Sequence, residues 1–253
     1  MDGLVRPRQS SAMMRLWASY GLRTENMSAA TKPQGKDTVS PPDLIQLSSR
    51  DAQILTVSAR IFARRGYRNT DVQEIADELG IGKATIYRAF GTKEELFFAT
   101  VDYGMSSLNA NMCAQKSKEV GEFSAETMER AIHTFLSFFD QNPDLIELLM
   151  QERSEFRERE SNSFIRHWRA NYPQWAENFR KRIEVGTIRN LPVEDLVEVL
   201  SGLVYGQIFI NYFSKKRINL ERMAKSISDI VCNGMFTESE RKRRSRHKEE
   251  GES

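Results

Sequence analysis

TDVQEIADELGIGKATIYRAFGTKEEL, running from Thr70 to Leu96, is the stretch whose reading decides the fold. Thr70 followed by Gln73 three residues on has the form of a capping box, a reciprocal pairing that opens a helix. Val72, Ile75, Ala76 and Leu79 then fall at i, i+3, i+4 and i+7, one apolar stripe of a short helix. Gly80-Ile81-Gly82 predicts a turn. A glycine there takes the left-handed backbone at no steric cost, and Ile81 plugs the space between the flanking helices. In the next short helix, Lys83 to Phe90, Ile86 and Phe90 share a face. Lys83, Thr85, Tyr87 and Arg88 are left on or near the other. Thr92 and Glu95 form a second capping box, which opens a long helix with Leu96 and Phe97.

Upstream, Ile54, Leu55, Ser58, Ile61 and Phe62 give one small-to-apolar helical face, with Ser48 as N-cap and Gly66 as terminator. Three helices around one small core, the third turning cations and hydroxyls outward, is a helix-turn-helix. That device sets a helix N-terminus and its polar side chains in the DNA major groove. The ordered series Phe62, Gly66-Tyr67, Thr70, Ile75-Ala76, Leu79-Gly80-Ile81, Thr85-Ile86-Tyr87, Phe90, Lys93-Glu94 and Leu96 resembles the DNA-binding domain of the TetR/AcrR family of transcriptional regulators. The resemblance implies a homodimer, an all-α C-terminal domain, a near-palindromic operator on double-stranded DNA, and release by a small-molecule effector. Ala89 departs from the family, which often has histidine before the phenylalanine, so a polar backbone contact is expected to be missing there.

The chemistry of the side chains sorts them into base readers and phosphate anchors. Lys83 and Arg88 can donate to guanine O6 and N7 or to phosphates, and Thr85 suits a base edge or a thymine methyl. Ala84 offers at most an apolar contact. Thr70 can present its hydroxyl or backbone N–H to a phosphate at a helix N-terminus. The resemblance assigns Tyr87 and Lys93 to phosphate or sugar. Between Arg50 and Phe98 there are eight Lys/Arg against seven Asp/Glu, and the whole chain carries only +2. No global basicity draws it to nucleic acid, so the case rests on local placement. A modest charge per subunit makes a second, tethered reader important for affinity.

The 253 residues, 40% hydrophobic and 28% charged, suit a water-soluble chain with a real core. Cys113 and Cys232 lack CxxC spacing and read as reduced thiols in a cytoplasmic protein. His133, His167 and His247 form no metal-spaced cluster. No catalytic set is expected, no enzyme activity, no metal and no cofactor. Residues 1–47 read as a disordered extension, 48–97 as the helix-turn-helix domain, 98–236 as an effector-binding and dimerisation domain, and 237–253 as a charged disordered tail. The competing reading is a helical protein-interaction module, or an effector-independent regulator, that carries the same three-helix unit.

From Glu94 onward the pattern is helical throughout, giving an all-α fold class. A fourth helix is expected from Lys93 to about residue 118. Phe123, Ser124 and Met128 have staple spacing around an N-cap, and Asn142-Pro143 opens a helix with Leu145, Leu148, Leu149 and Glu152. The alternating charges from Glu152 to Glu160, with Glu155 and Arg159 at i, i+4, read as a solvated helix face. Pro173 is expected to interrupt a helix begun at Asn162, with the pattern resuming from Trp175 to Val185.

Fifteen uncharged residues from Val199 to Phe213 are too few for a bilayer span, which takes about 20. They predict a helix buried on several sides. By the resemblance this helix and the next, about Leu220 to Phe236, form the dimer interface, through Leu200, Gly202, Leu203, Gly206, Ile210, Ile227, Ile230 and Val231. An effector pocket is expected among His133, Phe138, Met150, Trp168, Trp175, Tyr205 and Phe209, which mix aromatic bulk with a few polar handles.

Overall fold

A computed structural model describes residues 47–117, 124–159, 161–214 and 218–235, and within them every regular element is an α-helix. In chain order these are α1 (Ser49–Arg65), α2 (Val72–Leu79), α3 (Lys83–Phe90), α4 (Lys93–Ser117), α5 (Ala125–Gln141), α6 (Pro143–Glu155), α7 (Ser163–Glu184), α8 (Val193–Ser214) and α9 (Leu220–Asn233). The expected extension, apart from Leu47, and the charged tail lie outside the described residues, as does Phe123; Leu47 itself packs against the core.

The first three helices end and begin where their caps dictate. Ser48 accepts from the Asp51 N–H, and Gly66 closes α1 at φ 81°. The cap of α2 differs from expectation. Asp71, not Thr70, accepts from the Gln73 N–H, while Thr70 is 3% exposed and its hydroxyl donates to the Gly66 carbonyl at 2.8 Å. A carboxylate one residue on is the stronger acceptor at a helix N-terminus, which frees the threonine to tie the preceding turn. Gly80 is left-handed at φ 63°, and the Ile81 N–H bonds the Ala76 carbonyl. The second capping box forms as read: the Thr92 N–H donates to Glu95 Oε2 and the Glu95 N–H to Thr92 Oγ1.

α4 is the spine. Leu96, Phe97, Phe98, Ala99 and Val101 are all buried, which one amphipathic stripe cannot achieve. They are enclosed because α1 and α3 pack on one side of α4, and α5, α6 and α7 on others. At Gly104 an added Cβ would lie 2.7 Å from Leu145 Cδ1, so the glycine lets α6 approach closely. One continuous core runs from Ile54 in α1 to Ala224 in α9. α5 carries α8 and α9, and Ser228 donates to the Ala125 carbonyl to fix α9 on it. A satellite cluster of Trp168, Tyr172, Trp175, Ala176 and Phe179 packs with Val193 and Val197 where α7 meets α8.

Three expectations are corrected. Pro173 lies inside α7 and does not break it. The aromatic cluster spans the proline, with Trp168 and Tyr172 before it and Trp175 and Phe179 after, so packing holds both halves in line. The charged run from Glu152 is not a solvated helix face. α6 stops at Glu155, Glu152 is 1% exposed, and Arg159 pairs with Glu152 rather than with Glu155. α8 is buried on one side only within the chain. Val193, Val197 and Ile208 face inward, while Val199, Leu203, Ile210 and Phe213 are 47–64% exposed. α8 is long and apolar enough to cross a membrane by length and composition alone, but its inner face is packed into the two clusters.

Candidate DNA-reading surface and ligand cavity

Ile86 and Phe90 anchor α3 in the core at 0–1% exposure, which fixes the rotation of the short helix. Ala84, Tyr87 and Arg88 are thereby exposed, and Lys83 and Thr85 stand half-buried beside them. Gly82 is the N-cap and supplies no side-chain acceptor. The first N–H groups of α3 therefore have no side-chain cap, and donors at such a position favour an anion.

Lys83 and Lys93 on this surface are held rather than loose. Lys83 Nζ lies 2.6 Å from Asp71 Oδ1. The Gln73 backbone N–H first, then the Lys83 ammonium, hold the Asp71 carboxyl below its ordinary value, and the same pairing raises Lys83. Lys93 donates to the Arg68 carbonyl at 3.1 Å and sits 4.9 Å from the Tyr67 ring centroid. Partial burial lowers its pKa. Thr70 is the exception in the expected set, since its side chain points inward and only its backbone remains for a phosphate.

The end of α6 bolts this reading unit to the rest of the chain. Gln151 Nε2 donates to the Phe62 carbonyl at 3.0 Å, and Arg68 pairs with Glu155 at 2.6 Å. Phe156 closes on Tyr67, Phe97 and Phe98, with centroids 4.7–5.7 Å apart, and Arg159 caps Phe98 at 3.7 Å. Tyr67 meets Phe156 edge-on while Phe97 and Phe98 are tilted against it, and ring pairs at these separations add to the area they bury.

Behind that joint lies a buried polar network. Asp102 of α4 accepts from Arg166 at 2.5 Å and lies 3.4 Å from His167 Nε2. Burial pushes its carboxyl up, but the His167 hydrogen bond and the Arg166 charge outweigh it and hold it below the usual range. Glu152 takes the opposite course. It accepts from the Ser163 N–H and hydroxyl at 2.9 and 3.0 Å, yet burial dominates and raises its carboxyl. Among the described residues no group of three or more His, Cys, Asp or Glu is placed to hold a metal ion.

A cavity of about 580 Å³ opens between α6, the start of α7 and α8. It is lined by Leu149, Met150, Phe164 and Phe209, with Arg153, Ser154, Arg157 and Asn162 around them. Of the seven residues expected to form a pocket, only Met150 and Phe209 line it. His133 is exposed on α5 beside Ser137. Phe138 is core. Trp168, bonded to Ser201, and Trp175 belong to the satellite cluster. Tyr205 is sandwiched edge-on by Phe135 and Phe164, and burial raises its hydroxyl far above the ordinary value. Sequence reasoning missed Arg153 and Arg157, because in a run of alternating charges nothing marks which residues turn toward a cavity.

The apolar outer surface of α8 and α9 holds the residues expected at a dimer interface. Gly202, Leu203, Ile210 and Ile230 are exposed, while Leu200, Gly206, Ile227 and Val231 are half-buried. Space around Gly202 and Gly206 is open. Val199 and Phe213, absent from the expected set, extend the same patch.

Residues 54–100 match the family model described as bacterial regulatory proteins, tetR family. The chain is 29% identical over 106 residues to the HTH-type transcriptional regulator YerO of Bacillus subtilis, a match covering 42% of this chain and 37% of YerO. It is 30% identical over 95 residues to the HTH-type transcriptional repressor KstR2 of Mycobacterium tuberculosis, covering 38% and 45% respectively. The matches thus span less than half the length of these relatives. In fold the chain is similar to FadR of Bacillus subtilis, solved in complex with stearoyl-CoA, with a TM-score of 0.59 at 17% identity over 73% of this chain and 99% of that one.

Proposed function

We infer, from a chain whose N-terminal helices are a TetR-family DNA-binding domain, that it is a homodimeric transcriptional repressor of a near-palindromic operator. A small-molecule effector releases it from DNA. The observation that carries the reading is the fixed rotation of α3, whose buried Ile86 and Phe90 leave Ala84, Tyr87 and Arg88 exposed around an N-terminus without a side-chain cap. In this reading Lys83, Thr85 and Arg88 meet base edges, and Tyr87, Lys93 and the Thr70 backbone meet phosphates. Residues 48–97 read DNA, and 98–236 bind the effector and the second subunit in the cytoplasm.

The exposed apolar patch on α8 and α9 supports dimerisation, since two-fold contacts of this kind bury the same surface from each copy. The cavity beside α6 supports effector control, because the helix that lines it also holds Phe62 and Arg68 of the reading unit. An effector acts only if it binds the DNA-incompetent arrangement more tightly.

DNA footprinting on the flanks of the chain's own gene, followed by a salt titration on the protected duplex, tests the reading. A steep loss of affinity with rising salt and protection of one inverted repeat are expected. Lys83→Ala with Arg88→Ala should abolish the preference for that duplex over random DNA. Retained preference in the double variant would remove the residue assignment.

A further inference from the structure

The cavity between α6, the start of α7 and α8 is two-natured. Its walls are Leu149, Met150, Phe164 and Phe209, and the exposed Arg153 and Arg157 stand at its rim, with no acidic lining residue. Three of the carboxylates nearest in sequence are committed elsewhere, and the exposed Glu158 forms no ion pair with either arginine among the described residues. Glu147 accepts from Tyr212 at 2.9 Å and from Gln151 at 3.2 Å. Glu152 is taken by Ser163 and Arg159, and Glu155 by Arg68. Both rim arginines are exposed, and none of the ion pairs among the described residues uses them. The first turn of α7, which supplies Asn162 and Phe164 to the site, holds no acidic residue either.

We infer that this cavity binds an anionic amphiphile, with an apolar chain along Leu149, Met150, Phe164 and Phe209 and a carboxylate or phosphate head on Arg153 and Arg157. The volume of about 580 Å³ falls within the usual ~300–1,000 Å³ of small-molecule sites. Guanidinium forks pair with planar carboxylates and with phosphates through two parallel hydrogen bonds, and two arginines four residues apart around a helix end can share one head group. A neutral apolar ligand leaves both guanidiniums unused, and a cationic one is repelled by them.

The inference rests on the chain being an effector-controlled DNA binder, and it adds a route for the control. On α6, Met150 and Arg153 face the cavity, while Gln151 and Glu155 on the opposite side hold Phe62 and Arg68 of the reading unit. A head group drawing on Arg153 loads the same helical turn that carries those two ties.

Calorimetric titration of the full chain with monomeric dodecanoate, dodecyl phosphate and dodecanol tests it, with DNA affinity measured in parallel. One of the two anions should bind at one site per chain, and which of them does so tells a carboxylate head from a phosphate head. Dodecanol should bind at least about tenfold more weakly, the loss of one charge-assisted pair. Arg153→Gln with Arg157→Gln, both at exposed positions that leave the core intact, should erase the preference for the anion. Arg169→Gln, on the exposed side of α7, should not. Equal binding of anion and alcohol, anion binding unchanged in the double variant, or no binding of either anion would overturn the inference. DNA binding by the ligand-free protein is read separately, so its loss counts against the regulator reading and not against the ligand class.

Discussion

Two buried carboxylates a few residues from the joint behave oppositely, and single substitutions separate them. Asp102 is held below its ordinary value by His167 and Arg166 despite its burial. Its contribution to stability is therefore fully present above the unfolded-chain value of about 4, and is lost as the pH falls through the lower folded value. Asp102→Asn leaves Arg166 without its charge partner and is expected to cost about 3 kcal/mol at pH 7 in urea unfolding, shrinking toward pH 3. Glu152 is raised by burial, so its contribution is present at low pH and lost as the pH climbs through the raised value. Glu152→Gln keeps an acceptor for the Ser163 N–H and removes a desolvated charge, and it should cost less than about 1 kcal/mol at pH 7. Equal costs for the two variants would mean that their surroundings have been read wrongly. Neither role was legible in the sequence. Asp102 sits mid-helix and Glu152 inside a charged run, and only the packing of α4, α6 and α7 decides that both are enclosed.

At the scale of the element, local chemistry read from the sequence set most boundaries. The glycines at 66 and 80, the Ser48 and Ser124 caps and the Thr92–Glu95 box all act within four residues, so spacing alone reveals them. The misreadings have two sources. Thr70 lost its cap to the stronger acceptor one residue on, Asp71, whereas the break expected at Pro173 is overruled by contacts distant in sequence, rings packed on α8. α7 thus keeps a proline whose missing N–H and ring clash disfavour the helix. Pro173→Ala is expected to raise stability by about 1–2 kcal/mol, less than the full helix-propensity difference because the unfolded chain also gains freedom. Thermal unfolding followed by circular dichroism checks this, and lower stability in the variant would mean that α7 uses its proline. The cavity was the least legible element of all, since its walls come from α6, α7 and α8 and only Met150 and Phe209 stood out in advance.

For the whole molecule, the reading surface and the apolar patch answer one another. The segment from Arg50 to Phe98 is close to electrically neutral, so one copy offers DNA little beyond the cations around α3. In the proposed dimer, joining two copies through α8 and α9 would make the second half-site contact intramolecular. Leu203→Glu with Ile210→Glu, both on the exposed face of α8, should turn a dimer into a folded monomer in sedimentation experiments. Operator affinity should drop at least about a hundredfold. A dimer that survives both substitutions would place the interface elsewhere.

The most direct measurement of the central claim is selection of binding sites by the full chain from a pool of random duplexes, with the mass of the complex determined on the winning sequence. We expect one enriched inverted repeat, its half-sites centred about one or more helical turns apart, bound by an even number of chains. Lys83→Ala with Arg88→Ala should enrich nothing. A pool that stays random under the unaltered protein, or a single half-site bound by one chain, would contradict the account.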